Sequence, residues 1–175
     1  GNGNWLTVGD DGAPFVAEST NDGQNWAEVD LTGLSLLAFS SFTGVAWDET
    51  AGLWLMVGVV AEDAIAVTYD PATGSLAAVT WPGSPPQAPS ALAAVTADGA
   101  GNFLAVGTGG TVVHFTGLDT ASPTVKEVAS GLSEDLYAVT FLPGGSFLAG
   151  GADTAQVSVS ADGSTALALP GTASD

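Results

Sequence analysis

The sequence predicts an all-β protein built from four repeats, and three observations support this prediction. A phrase of one aromatic residue and a short apolar run ending in glycine occurs at residues 4–9, 53–58, 102–107 and 146–151. β-Prone segments precede and follow this phrase at similar spacings. No segment shows the apolar stripe of period 3.6 that an amphipathic helix requires. These observations exclude the helical repeats that have a similar length.

The recurring phrase predicts the second strand of each repeat, which we name strand B. Its apolar residues are nearly continuous, which is typical of a strand buried on both faces. The phrases begin 49, 49 and 44 residues apart. Because the aromatic residue recurs at the same place, we expect all four of these side chains to lie in the core. They are Trp5, Trp54, Phe103 and Phe147.

The flanking segments predict the other three strands of each repeat. Strand A precedes the phrase at residues 42–48, 92–98 and 136–142. Strand C follows the phrase at residues 15–20, 65–69, 112–116 and 157–160. Strand D comes last, at residues 26–29, 76–80, 125–128 and 166–169. Polar turns containing glycine separate these segments, as expected for antiparallel hairpins.

Four strands in a repeat of 44–49 residues is the pattern of a β-propeller blade. One such sheet cannot shield both faces from water, whereas blades stacked face to face shield each other. The repeats span roughly residues 1–41, 42–90, 91–134 and 135–175, and the first lacks strand A. We therefore expect fifteen strands in three four-stranded blades and one three-stranded blade. They form either a single β-propeller domain over residues 1–175 or part of a larger propeller.

The composition excludes several classes of function. The chain carries a formal charge of -18, with 19 acidic residues, Lys126 as its sole basic residue and no arginine. Nucleic acid is excluded as a partner, because such binding depends on lysine and arginine neutralising phosphates. The absence of cysteine excludes disulfides and cysteine metal sites. The longest apolar stretch, residues 53–61, is too short to insert across a membrane. We expect no cofactor and no metal, and His114, the sole histidine, is expected to be a core or edge residue.

The turn between the first strands C and D carries a specific motif. Residues 19–26 read Ser-Thr-Asn-Asp-Gly-Gln-Asn-Trp. They resemble the Asp-box, S-x-D-x-G-x-T-W, with Asn21 in the aspartate position and Asn25 in the threonine position. The chain thus resembles the Asp-box (BNR-repeat) β-propeller superfamily, in its non-sialidase secreted bacterial type.

The resemblance implies a structural role for the Asp-box residues and argues against one enzyme activity. In that superfamily the box closes a hairpin, and its tryptophan packs between blades. The residues concerned are Ser19, Asn21, Gly23, Asn25 and Trp26. Sialidases of the superfamily bind the substrate carboxylate with arginines, and because this chain has none, sialidase activity is excluded.

Trp81 is the best ligand-binding candidate because it does not recur in the other repeats. It opens residues 81–89, a D–A connection stiffened by four prolines. In a propeller the D–A and B–C loops emerge on one face, so we expect Trp81 to share an edge with several acidic residues. These are Asp10, Asp11, Glu62, Asp63 and Asp153. An aromatic side chain beside carboxylates can stack on a sugar or hold a cationic group. The alternative is that Trp81 only covers the end of a blade.

Three functional hypotheses remain open at this point. The first is a non-catalytic binding or scaffolding module, extracellular, at the cell surface or periplasmic, that recognises a protein or glycan. The second is a polysaccharide-cleaving enzyme that uses carboxylates, since such enzymes act through paired acids. The third is a structural subunit of an extracellular assembly, either a homo-oligomer or a chain whose first blade a neighbouring chain completes by strand addition.

Overall fold

A computed structural model describes residues 3–10, 13–34, 40–83 and 87–169 of the chain. This part of the chain is all-β, as predicted, with two short 3-10 turns at Thr108–Gly110 and Ala152–Thr154. The strands are β1 Trp5–Asp10, β2 Pro14–Ser19, β3 Ala27–Glu28, β4 Ser40–Asp48, β5 Leu53–Val60, β6 Asp63–Asp70, β7 Ser75–Ala78, β8 Leu92–Ala97, β9 Asn102–Gly107, β10 Val112–Thr116, β11 Thr124–Glu127, β12 Leu136–Leu142, β13 Ser146–Gly151, β14 Gln156–Ser160 and β15 Ala166–Ala168. None of these elements is a helix that could cross a membrane.

The described strands form four antiparallel sheets, one for each repeat of the sequence. The first sheet holds β1–β3, and the second, third and fourth hold β4–β7, β8–β11 and β12–β15. Strands follow each other across each sheet in chain order, so every connection within a sheet is a hairpin. The sheets pack face to face in sequence order, and the first strands of neighbouring sheets, β4, β8 and β12, pack on one another. This is the arrangement of successive propeller blades around an axis.

Three apolar clusters fill the spaces between neighbouring sheets. Between the first and second sheets lie Leu6, Val16 and Met56 with their neighbours. Phe103 lies between the second and third sheets, and Phe147 between the third and fourth, both with no exposed surface. Each sheet therefore shields the next, and the sequence prediction that Phe103 and Phe147 are core residues is confirmed.

Trp5 does not lie in the core, and this prediction was wrong. Its side chain is 57% exposed. Leu6 faces the second sheet in the first cluster, so alternation along β1 turns Trp5 to the opposite face. Phe103 and Phe147 use the corresponding face to pack on the preceding sheet, whereas the first sheet has no preceding sheet in the described part of the chain.

Trp26 also differs from the expectation that the Asp-box resemblance implied. It is 47% exposed instead of being packed between blades. Trp26 comes directly before β3, whose Ala27 pairs with Glu18, and its indole N–H donates to the carbonyl of Gly23 in its own turn.

The glycine that ends the recurring phrase is explained by a close backbone approach. A Cβ atom built on Gly58 would lie 2.0 Å from the carbonyl oxygen of Ser41, and one on Gly107 would lie 1.9 Å from that of Ala91. A Cβ atom built on Gly151 would lie 1.8 Å from the carbonyl oxygen of Asp135. In all three sheets the first strand has a register shift at this place. Glycine is required because the bulged strand brings its carbonyl group into the space of a side chain.

Polar contacts link the second sheet to both of its neighbours. The hydroxyl group of Tyr69 donates a hydrogen bond to Glu18 of the first sheet at 2.5 Å. Burial, together with this bond, raises the pKa of Tyr69 above its ordinary value. On the other side, the buried carboxylate of Asp48 accepts a bond from the backbone N–H of Gly101, and the Thr50 hydroxyl donates to the carbonyl of Gly99. The turns between first and second strands of adjacent blades are thus joined directly.

The sole histidine and the sole lysine both bind one turn of the fourth sheet. His114 is buried, as predicted, and its Nε2 lies 2.9 Å from the carbonyl oxygen of Ala161. Nζ of Lys126, which pairs with His114 across the third sheet, donates to the carbonyl of Gly163 at 2.9 Å. A Cβ atom on Gly163 would lie 2.5 Å from the His114 ring. The third and fourth sheets are therefore joined at the β14–β15 turn.

We expect the stability of the protein to fall as the pH is lowered between about pH 7 and 5, because of His114. Burial lowers the pKa of His114 below its ordinary value of 6.5, although Ala161, Asp98 and Asp162 oppose this shift. The unfolded state therefore binds the proton more readily, so stability is complete above pH 6.5 and declines below it. Urea unfolding at a series of pH values measures this decline. His114→Gln keeps an N–H donor but does not titrate, so an unchanged pH dependence in this variant would contradict the assignment.

Candidate functional site

The loops that the sequence analysis placed on one face do lie beside each other. Asp63, at the start of β6, forms an isolated bridge with Ser90 of the following D–A connection. The Asp135 carboxylate accepts a bond from the N–H of Gly109 at 2.8 Å, and the Ser130 hydroxyl donates to the carbonyl of Gly110 at 2.7 Å. The connections between sheets and the B–C turns therefore share one edge, which we call the loop edge.

Trp81 is half-buried at the seam between the second and third sheets. Its ring centroid lies 6.0 Å from that of Phe115, with the rings tilted at 58°. It also packs against the cluster between these sheets. Part of the indole is thus engaged in packing, and a ligand role for Trp81 stays a prediction.

The acidic residues predicted for this site belong to three different sheets. Asp10, Glu62, Asp63 and Asp153 are exposed, and Asp11 lies outside the described residues. The described residues include no group of three or more histidine, cysteine, aspartate or glutamate side chains able to hold a metal ion.

The turn over residues 19–26 has the hydrogen bonds of a closed hairpin. Oγ of buried Ser19 accepts the N–H of Gly23 at 2.9 Å, and Oδ1 of Asn21 accepts the N–H of Asn25 at 2.9 Å. The indole N–H of Trp26 donates to the carbonyl of Gly23 at 3.1 Å. Gly23 has a φ of 78°, which glycine adopts without strain. These contacts give Ser19, Asn21 and Gly23 the turn-forming role that the resemblance implied.

A cleft lies between the A–B and C–D turns of the first and second sheets, at the end of these sheets that is opposite to the loop edge. Its volume is about 470 Å³. Its walls include Trp5, Trp47, Trp54, Asp22, Glu49 and Pro71. We call this feature the tryptophan cleft.

Two of the tryptophans are positioned by strand pairing. Trp47 on β4 is directly opposite Trp54 on β5, with ring centroids 5.3 Å apart and planes at 52°. Both are half-buried, so they are held by packing and still reach the surface. Trp5, more exposed, adds a third indole from the first sheet.

The two acidic side chains of the cleft are available for a ligand. Asp22 and Glu49 are exposed, and no described residue donates a hydrogen bond to either carboxylate. Asp22 is fixed by its backbone, since its N–H donates to the carbonyl of Gly3 at 2.9 Å. Three indoles and two exposed carboxylates therefore face one opening.

Sequence reasoning missed this cleft because it assigned Trp5 and Trp54 to packing. The available signal was Trp47, which is not a tryptophan in the other repeats: Ala97 and Phe141 take its place. Its pairing with Trp54 follows from the β4–β5 register, but the opening between two sheets depends on how they pack.

The comparisons with known proteins show the fold. No family model and no curated protein matches the chain. Similar solved structures include YCF48 bound to a D1 peptide, at 12% identity and a TM-score of 0.60, covering 96% of this chain and 50% of that one. A nidogen/laminin complex gives 10% identity and a TM-score of 0.63, covering 97% and 62%. A protein from Lactobacillus plantarum gives 11% identity and a TM-score of 0.60, covering 95% and 53%.

The chain thus spans between half and two thirds of the length of these structures. They are β-propellers, and the agreement extends over nearly all of this chain. Together with the four stacked sheets, it shows that the chain has a β-propeller fold.

Proposed function

We propose that this chain is a non-catalytic binding module, secreted or at the cell surface, that recognises a protein partner through the tryptophan cleft. The observation that carries the proposal is the meeting of three indole rings with two exposed carboxylates at one opening. Ligand sites typically combine apolar aromatic walls with a few polar groups that fix orientation.

The chemistry of the cleft favours a basic side chain of the partner. Tryptophan is the aromatic residue that binds cations best, and Asp22 and Glu49 supply the opposite charge. The net charge of -18 attracts basic partners over a longer range. A glycan is less favoured, because a neutral sugar brings no positive charge to the carboxylates of Asp22 and Glu49.

Two of the similar structures support a binding role through what they contain. One is a complex with a peptide, and the other is a complex of nidogen with laminin. A propeller surface thus accommodates protein partners in known cases. We carry this to the present chain as part of the proposal.

The pKa values of the acidic residues give no support to the enzymatic alternative. A glycoside hydrolase needs a carboxylic acid with a raised pKa to protonate the leaving group. Hydrogen bonds from hydroxyl groups lower the pKa of Asp70 and of Asp162. Backbone N–H groups lower the pKa of Asp30 and of Glu134. The pKa of every described carboxyl group that shows a clear shift is therefore lowered, whereas a general acid needs a raised pKa.

We expect a random peptide library selected on this protein to yield peptides with lysine or arginine, whose affinity falls about tenfold in Glu49→Gln. One charged hydrogen bond has a strength of about 1.5 kcal/mol, which corresponds to this factor. Titration of a selected peptide by calorimetry measures the change. Glu62→Gln is the matched control, because it removes the same charge at the loop edge and should change affinity by less than about twofold.

Further variants distinguish the two candidate surfaces. Trp5→Ala should weaken binding of the selected peptide while leaving folding intact, because Trp5 is 57% exposed. Affinity that is lost in Trp81→Ala and kept in Trp5→Ala and Glu49→Gln would move the site to the loop edge. A glycan array that gives ligands where the peptide library gives none would replace the protein partner by a glycan.

A further inference from the structure

Trp47 and Glu49 of the tryptophan cleft occupy places that carry other residue types in the third and fourth sheets. The places are defined by register, because Trp47 lies opposite Trp54 and Glu49 follows Trp47 by two residues. The residues at the corresponding places are Ala97, Gly99, Phe141 and Pro143. Blade packing requires the residue types that recur, so a pair of residues present in one sheet alone points to a function of that sheet.

The backbone fixes the Asp22 carboxylate in the wall of the cleft. The N–H of Asp22 donates to the carbonyl of Gly3 at 2.9 Å. A Cβ atom built on Gly3 would lie 3.0 Å from Oδ1 of Asp22, so the carboxylate lies directly beside the Gly3 backbone. Asp22 has a φ of 57°, a left-handed conformation that aspartate and asparagine adopt more readily than other side chains. The position of this carboxylate is therefore set before a ligand binds.

A group bound in the cleft meets indole surface and carboxylates together. Trp47 and Trp54 are half-buried, and their ring planes are tilted at 52°. Asp22 belongs to the C–D turn of the first sheet and Glu49 to the A–B turn of the second, so the two exposed carboxylates come from different walls. The site therefore favours a group with a positive charge, a surface that stacks on aromatic rings and several hydrogen-bond donors.

Arginine is the side chain that has all three properties. Its planar guanidinium stacks on an aromatic ring with its face and donates bidentate hydrogen bonds to carboxylates with its edge. The lysine ammonium is compact and strongly hydrated, and it has no flat face to stack. A trimethylated lysine binds to aromatic rings, but it has no N–H group to donate to Asp22 or Glu49.

We propose that the tryptophan cleft selects arginine over lysine in its partner, an inference that rests on the function proposed above. The guanidinium stacks on the Trp47–Trp54 pair, and its N–H groups donate to Asp22 from one wall and to Glu49 from the other. Lysine reaches the same carboxylates but lacks the stacking contact.

Blocked pentapeptides with one variable residue between two pairs of glycines test the proposal on the 175-residue protein. The variable residue is arginine, lysine, citrulline or trimethyllysine, and the chemical shifts of the indole N–H groups measure binding at the cleft. We expect the arginine peptide to bind about tenfold more tightly than the lysine peptide, which corresponds to one charged hydrogen bond. Citrulline keeps the planar shape without the charge, and its peptide should bind more weakly than the arginine peptide by about tenfold or more.

Asp22→Asn and Glu49→Gln test whether the two carboxylates produce the preference. Each substitution keeps the shape of the side chain, and asparagine also tolerates the φ of residue 22. The ratio of the arginine and lysine affinities should fall from about tenfold to about threefold or less in each variant. Glu62→Gln, which removes a charge at the loop edge, should leave the ratio unchanged.

Equal affinity for the arginine and lysine peptides, or no binding of either, would overturn the inference. Tighter binding of the trimethyllysine peptide, or an unchanged ratio in both variants, would do the same. The proposed function would survive these results, because the peptide selected from the library tests it separately. If the affinity of that selected peptide does not depend on Glu49, the proposed function itself is contradicted.

Discussion

Gly151→Ala is expected to destabilise the protein by about 3 kcal/mol, the upper part of the range for overpacking a tight site. The added Cβ would lie 1.8 Å from the carbonyl oxygen of Asp135 and 2.7 Å from Cα of Leu136. Both atoms belong to the backbone, so the strand itself must move away. This movement would disturb the pairing of β12 with β13 and the burial of Leu136. Urea unfolding followed by tryptophan fluorescence measures the loss.

Gly9→Ala is the matched control for this prediction. Gly9 ends the same phrase in the first repeat, but no atom of the described residues lies within 4 Å of the new Cβ. We expect stability to be unchanged or to rise by up to about 1 kcal/mol, because alanine restricts the unfolded chain. Equal destabilisation by the two substitutions would show that the strand-end position, and not the close carbonyl group, requires glycine.

Phe103→Ala is expected to destabilise the protein by about 3–5 kcal/mol, the usual range for removing a buried phenylalanine. The ring is fully buried between the second and third sheets. Phe115, which pairs with Phe103, and Leu55 would line the resulting cavity. The closely packed sheets can collapse into this space only in part. The change in the urea midpoint measures the effect, provided that the slope of the unfolding free energy against urea concentration stays constant.

Trp5→Ala provides the comparison for Phe103→Ala. The two residues open the same phrase in different repeats, so the repeat pattern alone predicts equal effects. Because Trp5 is 57% exposed, we expect a loss below about 1 kcal/mol, as is usual for surface substitutions. A loss as large as that of Phe103→Ala would show that the exposed face of the first sheet is covered in solution.

The repeat pattern predicted the strands well because it combines two independent signals. The apolar phrase marks a strand buried on both faces, and the glycine turns mark its ends. The predicted residues 102–107, 112–116 and 136–142 coincide with β9, β10 and β12. The outer strands are less regular: β3 covers only Ala27–Glu28 where residues 26–29 were predicted. An outer strand pairs on one side only and is mostly exposed, so its pattern is weaker.

The position of a residue in the repeat does not by itself determine its burial. The pattern makes Trp5 equivalent to Phe103 and Phe147, yet burial also needs a neighbouring sheet on the correct side. The tryptophan cleft was inaccessible to sequence reasoning for a related reason. It lies between turns of two different sheets. The distance between those turns depends on how the two sheets pack, and no local motif specifies it.

The second and third sheets differ from the first and fourth in the number of described neighbours that hold them. The second sheet is held from both sides, by the Tyr69 contact to the first sheet and the Asp48 contact to the third. The third sheet is held by that same Asp48 contact and by the His114 contact to the fourth sheet. The outermost sheets are each held from one side within the described residues. Amide hydrogen exchange is therefore expected to be slowest in the two middle sheets, which are held from both sides.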